Sequence, residues 1–128
     1  MTDLFGEVIA SYSRAQALED GMLVDVSTVA EEAGIRIPVA MTAGVHAECV
    51  AWTRTAGLQD ESGRLWDVIF MLAMAMRRAA NTDRLTYTVL RVPNTGRGLT
   101  PKPIKLVAMI GAGDDGEPVL TILLPGED

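Results

Sequence analysis

The segment from Arg64 to Ala80 limits what this chain can fold into more than any other. It is apolar nearly all the way round, carrying Leu65, Trp66, Val68, Ile69, Phe70, Met71, Leu72, Met74 and Met76. A helix of that character has to be covered on most sides by other elements. Its longest uninterrupted apolar run, Val68 to Met76, is far below the ~20 residues needed to cross a bilayer. The pattern therefore predicts a central buried helix, with Met71, Leu72 and Trp66 in the core. Arg77 and Arg78 fall at its C-terminal end, where cations suit the helix dipole, and Asn81 can end it.

The elements before this helix are short. Ser13 is placed to cap a helix that Gly21 stops. Met22 to Val26 reads as extended. Thr28-Val-Ala-Glu31 has capping-box spacing, and Gly34 closes that helix after about two turns. Residues 35–40 read as a short edge segment, because Pro38 cannot donate to a ladder. Thr42 can cap a helix running to about Thr55, with Val45, Cys49, Trp52 and Ala56 as its core stripe. Residues 57–63 form a turn-rich loop.

After the long helix the pattern turns to β. Arg84 to Val92 is β-branched and mostly alternating. Residues 93–103 are rich in Pro and Gly and read as the most mobile loop. Ile104 to Ile110 and Val119 to Leu124 are apolar strands joined by a Gly- and Asp-rich hairpin turn. The expected fold class is α+β: N-terminal helices and one long central helix packed on a C-terminal three- to four-stranded antiparallel sheet. At 128 residues and 48% hydrophobic content, residues 1–128 suit a single globular domain.

The side-chain inventory excludes much chemistry. One His and one Cys, His46 and Cys49, occur in the whole chain, so an intrachain disulfide is impossible and a reducing, cytoplasmic location is expected. His46-Ala47-Glu48 matches the His-x-Glu of zinc deaminases, but that site needs two more Cys ligands. Asp114, Asp115 and Glu117 form the densest acidic cluster. They lack EF-hand spacing, and Asp and Gly dominate hairpin turns for conformational reasons. Gly111, Gly113 and Gly116 precede a strand rather than a helix, so they cannot cradle a pyrophosphate as a dinucleotide fingerprint does. No metal, no cofactor and no catalytic residue is expected, and chelation should change neither fold nor activity.

Charge is segregated along the chain. Residues 1–76 sum to −7, residues 77–105 to +6 and residues 106–128 to −5. The simplest reading pairs the basic segment with acidic neighbours inside the domain. A second is an acidic face that engages a basic protein surface or imitates nucleic-acid phosphates. Direct nucleic-acid binding is disfavoured, because the overall charge of −6 opposes it at long range. Asp114, Asp115 and Glu117, on a hairpin tip, are the leading candidates for partner contact. Arg64 and Asp67, which open the long helix beside Trp66, are the others.

Several strings along the chain are long enough to compare with known families: Leu4-Phe-Gly-Glu-Val-Ile9, Tyr12-Ser-Arg-Ala-Gln-Ala-Leu18, Leu23-Val-Asp-Val-Ser27, Gly63-Arg-Leu-Trp-Asp-Val68, Gly113-Asp114 with Gly116-Glu-Pro-Val119, and Leu124-Pro-Gly-Glu-Asp128. Over nearly its whole length the chain resembles a small family of bacterial proteins carried on plasmids and integrative elements, a family with no assigned reaction. The resemblance implies a setting in which small acidic proteins counter host defences, as anti-CRISPR and anti-restriction proteins do. The expected function is thus that of an interaction protein, in its sharpest form a stoichiometric inhibitor of a CRISPR–Cas effector whose acidic surface occludes a nucleic-acid-binding groove. One alternative is a small enzyme or nucleotide-binding protein acting through Tyr12, Arg14, Asp25 and Asp67. Another is a plasmid maintenance or transfer accessory.

Overall fold

In the computed structural model, which describes residues 12–55, 57, 59–79 and 81–128, the chain is α+β. Helix α1, Arg14–Glu19, starts at Ser13, whose hydroxyl accepts from the Gln16 N–H while the Gln16 side chain returns to the Ser13 N–H. Gly21 follows at φ 79°, the left-handed stop that the sequence predicts. Strand β1, Leu23–Asp25, leads into α2, Ser27–Glu32. That helix has no side-chain cap at Val26. Thr28 and Glu31 therefore form no capping box. Ser27 instead takes its N–H and hydroxyl to Asp25 and receives the Val39 N–H, tying the helix entrance to the next strand.

That strand is β2, Val39–Thr42, and it corrects the expectation of an edge segment. It lies inside the sheet, antiparallel to β1 and parallel to β5. Pro38 stands just ahead of it and needs only its carbonyl, which accepts the Leu120 N–H at 2.9 Å. A missing donor at that position costs nothing. Thr42 caps the following helix through the Val45 N–H. The helix is shorter than its stripe implies: α3, Ala43–Val45, runs into a π-helical turn, His46–Val50, and Ala51 turns extended. Val45 and Cys49 are fully buried, Trp52 lies beyond the helix, and Ala56 lies outside the described residues.

The long helix α4 spans Glu61–Arg78, capped by Asp60 through the Ser62 N–H. It thus begins three residues before the apolar pattern does. It ends at Ala79, and Asn81 takes φ 51°; Ala80 lies outside the described residues. Strands β3, Arg84–Arg91, β4, Lys102–Ala112, and β5, Pro118–Leu123, form the antiparallel meander. The sheet is larger and more mixed than expected, with five strands in the order β1-β2-β5-β4-β3.

Helix α4 packs on one face of this sheet. Val68, Ile69 and Leu72 are fully buried against Tyr87, Val89, Leu106, Leu120 and Ile122, with Val45 and Cys49 closing the core. The helix is not covered all round. Trp66 is 37% exposed, Phe70 44% and Met71 37%, so the expected burial holds for Leu72 and fails for Met71 and Trp66. The loop after β3, expected to be mobile, is pinned. Arg54 donates to the carbonyls of Pro93, Arg97 and Gly98, and Asn94 donates to those of Ala47 and Ala51. Among the described residues no helix is long and apolar enough to cross a membrane.

Candidate functional site

Strand β3 is at the edge of the sheet, and among the described residues it pairs only with β4. Helix α4 crosses over it in the opposite direction, since only a short turn joins the two. The seam between them is open along most of β3. Near its middle and lower end an open groove of about 440 Å³ is lined by Met71, Ala75, Arg78 and Ala79 from the helix and by Leu85 to Thr88 from the strand. Tyr87 closes the floor. Its ring is buried, its hydroxyl donates to the Val68 carbonyl at 3.2 Å, and burial pushes its pKa well above the usual phenol value.

At the upper end of the same seam lies a smaller pocket of about 110 Å³. Cys49, Gln59, Arg64, Asp67, Val89 to Val92 and Pro101 line it. Here the structure brings together two of the residues singled out from the sequence, Arg64 and Asp67. Arg64 is not a surface anchor, however. It is 6% exposed, its Nε donates to the Val50 carbonyl at 3.0 Å and its Nη1 to the Val92 carbonyl at 2.9 Å. The guanidinium also lies over the Trp52 ring at 5.1 Å, and Arg54 stacks on the same ring at the same distance. Such stacking is favourable for a weakly hydrated cation. Burial draws the Arg64 pKa below the usual arginine value, and the nearby Arg91 charge adds to this, while Cys49 and Glu61 act in the opposite sense.

Arg91 borders the pocket from β3. It donates to the Glu48 carbonyl at 3.1 Å and the Lys102 carbonyl at 3.3 Å, and pairs with the Glu48 carboxylate at 3.3 Å. Cys49 is fully buried. Burial pushes its thiol up to about 11 although Arg91 and Arg64 pull it down, so it stays protonated near neutrality and is no nucleophile. Sequence reasoning missed Arg91, Gln59 and Trp52 here. An arginine in an alternating strand reads as solvent-facing, and nothing local shows that the Trp52 ring meets two guanidinium groups.

The acidic hairpin behaves differently from the expectation of a free acidic tip. Asp114 accepts the Arg14 N–H at 2.8 Å and the Ala15 N–H at 2.9 Å, the first-turn donors of α1 that no helical carbonyl can meet. The Ala15 and Arg14 N–H groups lower its pKa, with burial acting the other way. Asp114 is therefore a cap supplied from a distant hairpin. Glu117 turns back on its own loop and accepts the Asp115 N–H at 2.9 Å. Among the described residues no group of three or more His, Cys, Asp or Glu is arranged to hold a metal ion.

Four residues carried the enzymatic alternative, and they do not converge. Arg14 and Asp25 share a cleft of about 210 Å³ with Ser27, Asp114 and Glu117. Arg14 is committed there, donating to the Thr121 hydroxyl at 2.8 Å and the Leu120 carbonyl at 3.0 Å. Burial lowers its pKa and Asp114, Asp25 and Glu117 counter that. Tyr12 bonds Asp20 at 3.1 Å, and Asp67 sits across the molecule in the seam.

No curated protein and no solved structure matches this chain. A family model does match it over residues 1–128, and the chain belongs to that family, a family of unknown function designated DUF6573.

Proposed function

We propose that this protein works by binding another protein, with the seam between α4 and β3 as its contact surface and an extended acidic segment of the partner as the occupant. The observation that carries the reading is the free edge of β3 lying beside an uncovered arc of α4. A sheet edge presents unpaired backbone groups to any extended chain. An apolar helix flank along that edge supplies pockets for alternate side chains, the recipe for strand addition. Met71 lines the groove on that flank, and Leu90, 62% exposed, lies on the opposite face of β3. The charge suits an acidic occupant: residues 77–105 sum to +6 and Arg78 lines the groove, while Arg84 and Arg91 at the two ends of β3 are paired with Asp128 and Glu48.

In its sharpest form the partner is a CRISPR–Cas effector subunit and the outcome is stoichiometric inhibition. That form rests on the resemblance to mobile-element proteins, and the seam supplies its contact surface. Replacing Met71 and Arg78 by Glu tests the reading directly. The double variant should stay folded with a modestly lowered melting temperature, because Met71 is 37% exposed and Arg78 lies in the last helical turn, and should lose effector binding and inhibition. Charge reversal at Asp115 and Glu117 should leave both intact. The opposite pattern would return the contact to the acidic hairpin. Inhibition that saturates well below one protein per effector would indicate an enzyme instead.

A further inference from the structure

The pocket at the upper end of the seam is lined by one guanidinium that no carboxylate contacts among the described residues, that of Arg64. Arg64 is 6% exposed, and among the described residues no carboxylate pairs with it. Two backbone carbonyls and the Trp52 face satisfy part of its fork. Its Nη2 is buried with no hydrogen-bond partner. Leaving a charged donor unpaired in a low-dielectric site is costly, and native structures seldom tolerate it without a ligand or water. The Arg64 residue also lines a pocket with room for a few waters or one small anion. A second guanidinium, Arg91, borders that pocket, and its three contacts are long, at 3.1 to 3.3 Å.

We propose that this pocket binds a small oxyanion, a carboxylate or a phosphate, held between the Arg64 and Arg91 guanidinium groups. Gln59 also lines the pocket and offers an amide N–H. Asp67 is the one carboxylate of the lining; it is exposed and makes no ion pair with either arginine among the described residues, and Glu48 engages Arg91 from outside the lining, so Arg64 is the cation left without a counter-charge in contact. Cys49, Arg64 and Arg91 all line this pocket, which places the two cations around the same small volume. A planar guanidinium fork favours oxyanions over halide ions, because paired N–H groups match paired oxygens. This inference stands apart from strand addition, since a free anion needs no partner protein to occupy the pocket.

Thermal melting with inorganic phosphate and, separately, with acetate, each against chloride at equal ionic strength, tests the site. An anion that binds only the folded state raises the melting temperature saturably. At least one of the two anions should do so with the wild-type protein. Arg91→Gln should raise the half-saturating concentration about tenfold or more, the scale of a lost charge-assisted hydrogen bond. Arg64→Gln should abolish the effect; if that variant does not fold, Arg91→Gln decides alone. No rise beyond chloride with either anion would overturn the site, as would an unchanged midpoint in Arg91→Gln. Saturation by phosphate, by acetate or by both names the class of ligand.

Discussion

Arg14 and Arg64 are both drawn into the molecule beside small clefts, and they are compensated in opposite ways. Around Arg14 stand Asp25, Asp114 and Glu117, and the side chain reaches the Thr121 hydroxyl and the Leu120 carbonyl. Around Arg64 there are carbonyls, an indole face and a second arginine, with Asp67 and Glu61 nearby but not paired with it among the described residues. The first region has spent its charges on structure: Asp114 closes the N-terminus of α1, and Arg14 fastens that helix to β5. The second region has charge and hydrogen-bonding capacity left over. Residual capacity of that kind is what the proposed anion site rests on. The densest acidic cluster in the sequence is thus a structural fastening, whereas the arginine that begins the apolar stretch of α4 keeps a free donor.

The largest expected effect separates the covered and uncovered arcs of α4. Leu72 is fully buried and Met71, its neighbour, is 37% exposed. Leu72→Ala should cost about 2–5 kcal/mol, because the vacated volume cannot be refilled by a packed core. Met71→Ala should cost less than half as much. Urea melts of the two variants provide the comparison. Equal losses would mean that the flank facing the seam is packed shut, and the groove proposed for the partner would lose its basis.

The long helix and the C-terminal meander were legible because their signals are local. An apolar stretch and strict alternation reveal themselves within a few residues. The pairing of β2 with β5 was not legible, since it joins Val39 to Leu120 and leaves no mark on either segment. Pro38 misled for a related reason: its position just ahead of the strand, where only its carbonyl is used, is set by the partner strand. Composition shows that Trp66, Phe70 and Met71 are apolar, but not which arc of the helix finds a neighbour. The stacked Trp66 and Phe70 rings, 5.9 Å apart, instead cover part of one another. For the candidate site, Arg64 and Asp67 could be picked out from the sequence, while Arg91 joins them only through the fold.

An intermediate effect separates the two aspartates of the hairpin. Asp114→Asn keeps the shape and removes the charge that receives the Arg14 and Ala15 N–H groups, so the variant should melt at a lower temperature at pH 7. The folded-state pKa of Asp114 lies below its ordinary value. Its contribution to stability is therefore complete above the unfolded pKa, near 3.9, and is lost as pH falls through the lower folded value. The gap between wild type and variant should accordingly be constant from pH 7 to about 5 and close under more acid conditions. A gap that widens on acidification would contradict the capping role.

The smallest effect is expected one residue further on, and it tests whether the acidic hairpin has any role beyond shape. Asp115 contributes its backbone N–H to Glu117, and its side chain is exposed. Asp115→Lys preserves that backbone bond, so stability should change by no more than about 0.5 kcal/mol. If the seam is the contact surface, partner affinity should also be unchanged at low and at high salt. An acidic tip engaging a basic groove would behave otherwise: charge reversal would slow association most at low salt, whereas a fall of wild-type affinity with salt is expected of either surface. Measuring association rates for both proteins at two ionic strengths separates the cases. Association slowed in the variant relative to wild type, with the difference shrinking at high salt, would move the contact to the hairpin, and the spare capacity around Arg64 would then serve its anion alone.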